Sequence, residues 1–340
     1  MKLTQSFDAN VFSAENLSVG YRNAKGGFRT IKENINFSAR KGELIAVLGS
    51  NGIGKSTFLR TMVALQEVAG GSFSFFGKPF NEFSRKEFAK MLSFVSTEII
   101  NVPNMLVSEL VTLGRFPHTH WLGKLTDQDI FHTDNALNLL NMTQFKHRFV
   151  NELSDGEKQR VMIARTLAQN TPLIVLDEPT AHLDLANKYL LINTLKELCT
   201  QHSKTIIFST HDLNIALKSA DKIWLFLPDA LHEGAPEDLI LKGVINTIFQ
   251  STEIFFNATT YDFELNKNTK ETINLVGTAN YYELTARALQ RIGYQISKNA
   301  NKTIFINESA NTISWQIDQN PQVYSLYELA QALQNKFLSL

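Results

Sequence analysis

The sequence predicts an α/β fold with a parallel sheet over its first two thirds, followed by a smaller α+β module. Short continuous apolar runs, typical of strands buried on both faces, alternate there with segments of helical periodicity. The runs are Leu44–Leu48, Leu173–Leu176 and Thr205–Ser209. The length of 340 residues suggests two domains, at roughly 150 residues per domain.

Helices are predicted between these runs because apolar residues recur there at spacings of three and four. The helices are Lys55–Leu65, Asp127–Leu140, Asp155–Ala168 and Ala186–Cys199. No long strand follows Phe94, so we expect an inserted helical subdomain at about 85–165. The pattern changes around Ala235 and Pro236, and the composition becomes rich in Asn and Thr after Gly243. We therefore expect one domain over 1–242 and a second over 243–340.

The second domain is expected to be a small α+β module. Its pattern predicts a strand at Thr272–Val276, a helix at Asn280–Arg291, three short strands ending near Ile317, and a helix from Tyr324. A role in structure or dimer stabilisation and a role as a regulatory sensor both remain open. No cysteine or close histidine cluster follows His232, which argues against a metal–sulfur sensor.

Composition excludes several classes of protein. With 44% hydrophobic residues, and 33 basic against 33 acidic residues, the chain is neither disordered nor a typical nucleic-acid binder. The single cysteine, Cys199, lies in a Leu-rich helical stretch and is expected to be a buried structural thiol. The start, Met1 to Asn10, lacks a signal-peptide pattern, and the apolar runs are too short to span a membrane. We expect a protein of the cytoplasm that does not itself cross a bilayer.

Residues 49–56 fit the phosphate-loop pattern G-x-x-x-x-G-K-[S/T], at the junction of a buried strand and a helix. The glycines let consecutive N–H groups point inward around an anion, and the helix adds its positive N-terminal end. Lys55 would reach the β and γ phosphates, and the Ser56 hydroxyl would hold magnesium. The expected nucleotide-binding residues are Gly49, Ser50, Asn51, Gly52, Gly54, Lys55, Ser56 and Thr57.

Two carboxylates and a histidine follow the later apolar runs. Asp177 is positioned to hold magnesium, and Glu178 to orient or deprotonate the attacking water. A plain acidic turn after a buried strand would account for the same two residues. His211 would lie at the same edge of the sheet, facing the γ phosphate, or would simply cap a helix.

Residues 153–160, LSDGEKQR, together with these motifs resemble the nucleotide-binding subunits of ATP-binding cassette (ABC) transporters, over about residues 10–240. The family's signature is usually LSGGQ, so Asp155 and Glu157 depart from it while Ser154 and Gly156 keep it. The resemblance implies a P-loop ABC ATPase fold with ATP and Mg²⁺ as cofactors. It implies a second copy of the chain, whose nucleotide meets Ser154 and Gly156. A multi-span permease at the cytoplasmic face of the membrane, and indirectly a substrate-binding protein, are the other implied partners.

The resemblance assigns three further positions. Tyr21 is similar to the aromatic residue that stacks on adenine, unless it is a surface residue at a strand end. Asp184 resembles the residue that couples the two nucleotide sites, unless it only caps a helix. Where the family places a Gln that senses magnesium, this chain has Thr97 and Glu98, and Glu98 is a weaker candidate metal ligand.

The stretch 104–118 resembles the helical region of importer ATPases for ferric siderophores, haem and cobalamin. An ordinary amphipathic surface helix would give the same pattern. Importers of zinc or manganese are the nearest competing substrate class. The sequence also leaves open a soluble, non-transport ABC ATPase and an unrelated phosphate-loop kinase. The kinase would leave residues 153–160 and His211 without a role.

Overall fold

The structure is a computed structural model that describes residues 10–22, 27–96, 102–119, 124–250, 252–258, 261–265, 271–309 and 312–334. The chain divides into two compact units, Met1–Ile248 and Phe249–Leu340. The division lies beyond residue 242 because Val244 and Ile245 are buried in a short helix that packs against the helix before it.

The first unit holds two sheets and the helices that flank them. Its strands are β1 (Phe12–Arg22), β2 (Phe28–Ile35), β3 (Ser38–Ala39), β4 (Leu44–Gly49), β5 (Val68–Phe75), β6 (Lys78–Pro79), β7 (Leu92–Val95), β8 (Leu173–Leu176), β9 (Thr205–Ser209), β10 (Lys222–Phe226) and β11 (Leu231–Gly234). Its helices are α1 (Lys55–Met62), α2 (Arg85–Met91), α3 (Val107–Thr112), α4 (Asp127–Leu139), α5 (Asp155–Ala168), α6 (Leu185–His202), α7 (Leu213–Ser219), α8 (Pro236–Leu241) and α9 (Val244–Thr247).

The central sheet has the strand order β11-β10-β4-β9-β8-β7. All neighbours are parallel except β10 and β11. Every residue of β8 and β9 is buried, which explains their continuous apolar sequences. The parallel strands all end at one edge, so the loops after β4, β8 and β9 lie side by side. This edge carries the candidate site.

A second, antiparallel sheet has the order β2-β1-β5-β6, with β3 also paired to β1. The sequence predicts only one short strand in this region, from Leu17 to Val19. Aromatic side chains join this sheet to α1 and the central sheet. Phe12 of β1 packs against Trp224 of β10 at 5.8 Å between ring centroids, and edge-on against Phe58 of α1 at 6.4 Å. These contacts fix the helix that begins at the phosphate loop.

The helical part of the first unit packs around α5. Strand β7 belongs to the central sheet, so in the described residues this helical part begins at Val107, later than the predicted start near residue 85. The buried Arg115 donates from Nε to Asp129 Oδ1 at 2.9 Å and from an Nη to the Ala168 carbonyl at 2.7 Å. Burial opposes ionisation of Asp129, but hydrogen bonds from Thr126 and Arg115 lower its pKa to about 2. This buried pair holds the helices together.

The second unit has a hairpin and a four-stranded sheet. Its elements are β12 (Ile254–Asn257), β13 (Asp262–Leu265), β14 (Glu271–Val276), α10 (Ala279–Arg291), β15 (Tyr294–Ile296), β16 (Thr303–Ser309), β17 (Thr312–Ile317) and α11 (Leu326–Gln334). The sheet order is β15-β14-β16-β17. The strands and helices predicted from residue 272 onward are present, whereas the β12–β13 hairpin was not predicted.

The structure bears on two expectations from the sequence, the buried thiol of Cys199 and the lack of a membrane-spanning segment. Cys199 is buried, and burial raises the pKa of its thiol to about 12, which keeps it protonated and unreactive. Within the part of the chain that the structure describes, no helix combines the length and apolarity needed to cross a bilayer.

Candidate nucleotide site

The phosphate loop runs from the end of β4 to the start of α1. Gly49, Gly52 and Gly54 have φ values of 151°, 77° and 114°, which side chains other than glycine rarely adopt. A Cβ at Gly54 would also lie 2.9 Å from Ile31 Cγ2. Ser50, Asn51 and Gly52 are exposed. The loop therefore presents its backbone to solvent at the sheet edge, as an anion-binding loop requires.

Lys55 lies across this loop. Its Nζ donates to the carbonyls of Gly49 at 2.8 Å and Ser50 at 3.1 Å, and the residue is only 5% exposed. Burial lowers the pKa of the ammonium group, while the carboxylates of Glu178 and Asp177 oppose that shift. The cation is thus held in the loop by backbone oxygens.

Asp177 follows β8 directly and is 1% exposed. Its Oδ1 accepts hydrogen bonds from Ser209 Oγ at 2.6 Å and from Ser56 Oγ at 3.1 Å. Its Oδ2 is buried and has no hydrogen-bond partner among the described residues. A buried carboxylate oxygen left unpaired is costly, by about 1–3 kcal/mol or more, unless something binds it. An oxygen ligand beside the Ser56 hydroxyl fits Mg²⁺, which prefers such donors.

Glu178 is the next residue and has a left-handed backbone with φ 47°. That conformation costs a residue other than glycine about 1–2 kcal/mol. Its N–H donates to Ser209 Oγ at 2.8 Å, and Glu178 Oε2 lies 3.7 Å from His211 Nδ1. The Glu178 side chain is partly exposed at 24% and that of His211 at 58%, so both face the open edge. The two side chains are therefore accessible to solvent at this edge.

Ser209 was not among the predicted site residues. It is fully buried at the end of β9, where its hydroxyl donates to Asp177 and accepts from the Glu178 N–H. Its position two residues before His211 was the available signal. The position of Ser209 indicates a site residue only when β8 and β9 are known to be neighbours, with Leu176 opposite Phe208.

The signature-like segment opens α5. Ser154 is the N-cap residue, and its hydroxyl donates to Glu157 Oε2 at 2.7 Å while its N–H donates to the same oxygen at 2.8 Å. Burial opposes ionisation of Glu157, but these bonds leave its pKa below the ordinary range. A Cβ at Gly156 would lie 3.2 Å from the His182 carbonyl, so this glycine allows the residues before α6 to approach α5. Asp155 lies 3.6 Å from Lys158 Nζ.

Comparison with known proteins identifies the chain. The ABC transporter profile matches residues 32–181, and the profile of the iron ABC transporter C-terminal domain matches residues 270–334. The iron(3+)-hydroxamate import ATP-binding protein FhuC of Bacillus subtilis is 34% identical over 273 residues, which cover 78% of this chain and 100% of that protein. The chain belongs to the ABC transporter ATP-binding family.

Other members of the family are similar to a comparable extent. The achromobactin transport ATP-binding protein CbrD of Dickeya dadantii is 34% identical over 238 residues, covering 70% of this ABC ATPase and 87% of that protein. A metal-chelate type ABC transporter in an inward-facing conformation has a TM-score of 0.58 and 29% identity, over 68% of this chain and 85% of that one. The dimeric bacterial cassette MJ0796 has a TM-score of 0.59 and 25% identity, over 66% and 98%. This chain therefore has the ABC ATPase fold, and it binds and hydrolyses ATP.

Of the other predicted site residues, Tyr21, Thr57 and Asp184 lie in β1, in α1 and at the start of α6. Tyr21 is 39% exposed near the end of β1. Asp184 is the N-cap of α6 and accepts from the Asn187 N–H at 2.8 Å, as expected of a helix cap. Thr57 is half-buried in the first turn of α1. Glu98 and Thr97 lie outside the described residues. The nucleotide roles of all these residues remain predictions.

Proposed function

We propose that this ABC ATPase powers the import of an iron chelate of the siderophore type, as a pair of copies bound to a separate membrane permease. The observation that carries the proposal is sequence similarity, at 34% identity, to an iron(3+)-hydroxamate import ATP-binding protein over the whole length of that protein. The match of residues 270–334 to an iron transporter domain points to the same class of cargo. Haem and cobalamin are the related chelates that the sequence leaves open.

In the proposed reaction, each residue at the sheet edge has one task. The loop N–H groups and Lys55 bind the β and γ phosphates. Ser56 and Asp177 would hold Mg²⁺, which when bound neutralises charge on the phosphate oxygens. Glu178 orients the attacking water and accepts its proton, and His211 faces the same water or the γ phosphate. Their positions after β4, β8 and β9 support this division of roles.

Two copies are proposed because Ser154 and Gly156 would complete the site of the facing chain. The N-terminus of α5 offers a hydroxyl, backbone N–H groups and a helix dipole to a phosphate. Similarity to a dimeric cassette supports such a pair. Asp184, just before α6, would then lie between the two nucleotide sites, and Tyr21 would contact adenine.

The helical part offers a surface for the permease. An open groove of about 340 Å³ is lined by Thr112, Leu113, Phe116 and Leu125, among others. Phe116 is 75% exposed and Leu113 46%, which is unusual for large apolar side chains that have no partner. We infer that a cytoplasmic segment of the permease binds here and that ATP-driven closure of the pair moves it. The proposed location is therefore the cytoplasmic face of the membrane, and the proposed indirect partner is a substrate-binding protein.

Uptake measurements test the proposed cargo. Cells lacking this chain are compared with cells complemented by the wild type or by Phe116→Glu, using labelled siderophore iron, haem, cobalamin and zinc in separate assays. We expect iron-chelate uptake to be lost and to return with the wild type, but only weakly with Phe116→Glu, because a charge in the groove opposes docking. Loss of zinc uptake alone would contradict the chelate assignment. Loss of none, with no membrane protein copurifying, would instead favour the soluble ABC ATPase.

A further inference from the structure

One face of the second unit's sheet is not covered by its helices. Alternate residues of β14 and β16 point into the core, among them Ile273, Leu275, Ile304 and Ile306. The opposite positions are Thr272, Asn274, Val276, Thr303, Phe305 and Asn307, and we call them, with Thr312, Ser314 and Gln316 of β17, the open sheet face. Val276 and Phe305 are paired neighbours near its centre, and they are 45% and 40% exposed.

The open sheet face carries no charged residue. Protein surfaces are about 25–35% charged, so nine positions on a solvated face would ordinarily include two or three charges. The solvent-facing side of α10 does carry charged residues, namely the exposed Glu283, Arg287 and Arg291. Charged side chains are therefore present on the exposed side of α10 and absent from the nine positions of the open sheet face. An uncharged sheet face with an apolar pair at its centre is typical of a surface that is covered by a partner.

The absence of charge also indicates what the partner is. In a two-fold symmetric contact each face meets its own copy, so any charge near the axis would meet the same charge. Uncharged Thr, Asn, Ser and Gln side chains can instead donate and accept hydrogen bonds reciprocally around the Val276 and Phe305 pair. We propose that the open sheet faces of two copies pack against each other in the ATPase pair.

The small size of the open sheet face limits the strength of this contact. A stable independent interface buries about 800 Å² on each partner, which is more than three short strands present on one face. The contact would therefore be weak alone and effective when the paired cassettes raise its local concentration. The inference thus rests on the proposed pairing of two copies, and it gives the second unit a role in holding the pair together when no nucleotide is bound.

Cysteine cross-linking of the full chain tests the contact. Phe305→Cys is compared with Leu284→Cys, because Leu284 is 58% exposed on α10, the charged side of the unit. Cys199 is buried and protonated, so it does not interfere. With a short bis-maleimide and no nucleotide, we expect Phe305→Cys to form covalent dimers severalfold more than Leu284→Cys. Equal or greater cross-linking through Leu284→Cys would overturn the proposal.

A second measurement separates this inference from the proposed pairing. The Glu178→Gln chain is examined by gel filtration with and without ATP. If it fails to dimerise with ATP, then the proposed ATPase pair is wrong. If it dimerises but Phe305→Cys does not cross-link preferentially, only the sheet contact is wrong. Val276→Asp should reduce the cross-linking through Phe305→Cys, because it introduces a charge that would meet its own copy.

An independent observation concerns Ser209, which joins the two carboxylate residues. Its single hydroxyl hydrogen is used on Asp177 Oδ1, and its oxygen accepts the N–H of Glu178. The first bond sets the rotation of the Asp177 carboxylate, so that Oδ2 is the oxygen left free. The second holds Glu178 in its left-handed conformation. We propose that Ser209 is a positioning residue for the magnesium ligand and the general base, which deepens the proposed function.

Ser209→Ala is the variant that removes both bonds, and Ser93→Ala is its matched control. Ser93 is also a buried serine in the central sheet, bonded to Thr171 Oγ1 at 2.8 Å. We expect Ser209→Ala to lower turnover at least about tenfold and to raise the Mg²⁺ concentration for half-maximal activity, since a bond to a charged group is lost. Ser209→Thr should restore both values, and Ser93→Ala should change only thermal stability.

Thermal unfolding supplies a readout that does not depend on turnover. ATP with EDTA should raise the Tm of the wild type and of Ser209→Ala equally, whereas the additional rise on adding Mg²⁺ should be smaller in Ser209→Ala. An unchanged additional rise, with wild-type turnover, would overturn the role of Ser209. Asp177→Asn distinguishes the causes: if it too keeps the Mg²⁺-dependent rise, the proposed magnesium site itself is wrong. Should Ser209→Ala not fold, Ser209→Cys is measured in its place against the same outcomes.

Discussion

Lys55→Ala is expected to reduce ATP turnover by more than about a hundredfold and to abolish measurable ATP binding. The ammonium group is buried in the phosphate loop and directed at backbone oxygens, so it is already ordered where the phosphates arrive. Removing one preorganised donor from a charged reacting group typically costs about 10²–10³ in rate. Turnover and nucleotide binding are measured by phosphate release and by fluorescent ATP titration.

Lys204→Ala is the matched control for this prediction. Lys204 is also largely buried and donates to Asn170 Oδ1 at 2.7 Å and the Thr171 carbonyl at 2.9 Å, away from the phosphate loop. Burial lowers the pKa of Lys204 as it does that of Lys55. We expect Lys204→Ala to reduce stability and leave ATP affinity unchanged. If Lys55→Ala keeps the full rate of ATP turnover, the proposal that residues 49–56 bind the nucleotide phosphates is wrong.

The central sheet could be predicted because its strands are buried on both faces. Leu173–Leu176 and Thr205–Ser209 stand out as unbroken apolar runs, and their short lengths favour strands over helices. The antiparallel sheet gives no such signal. Most of β2 is exposed, and the register of β1 shifts against β2 and against β5, which disrupts the alternation of a half-buried strand.

The part of the candidate site that is formed by short motifs of consecutive residues could be predicted from the sequence. The loop from Gly49 to Ser56 and the Asp177 and Glu178 pair follow strands, and parallel strands end together. The left-handed backbone of Glu178 and the twofold role of Ser209 depend on the register between β8 and β9. No local pattern specifies that register. The same limit applies to the open sheet face, whose uncharged residues share a face only after β14, β16 and β17 are paired.

Glu178→Gln is expected to keep ATP binding while lowering hydrolysis by about 10²–10⁴, the range that a positioned general base contributes. The amide has the same shape as the carboxylate, and the backbone N–H bond to Ser209 remains, so the local conformation is retained. A neutral amide cannot accept the proton of the attacking water. The bound ATP therefore stays intact, and both nucleotide sites of the pair remain closed. Gel filtration should then show an ATP-dependent dimer, and the nucleotide extracted from it should be ATP.

Glu233→Gln is the control because it removes one negative charge from a carboxylate engaged elsewhere, 3.2 Å from Lys222 Nζ. It should hydrolyse ATP at the wild-type rate and should not accumulate as an ATP-bound dimer. If Glu178→Gln hydrolyses ATP as the wild type does, then Glu178 is not the base, and His211, whose Nδ1 lies 3.7 Å from Glu178 Oε2, becomes the group to test. If hydrolysis stops but no dimer forms, Glu178 keeps its role and the pairing through Ser154 and Gly156 is wrong. The trapped dimer thus reports separately on the chemistry at the end of β8 and on the contact made by the start of α5.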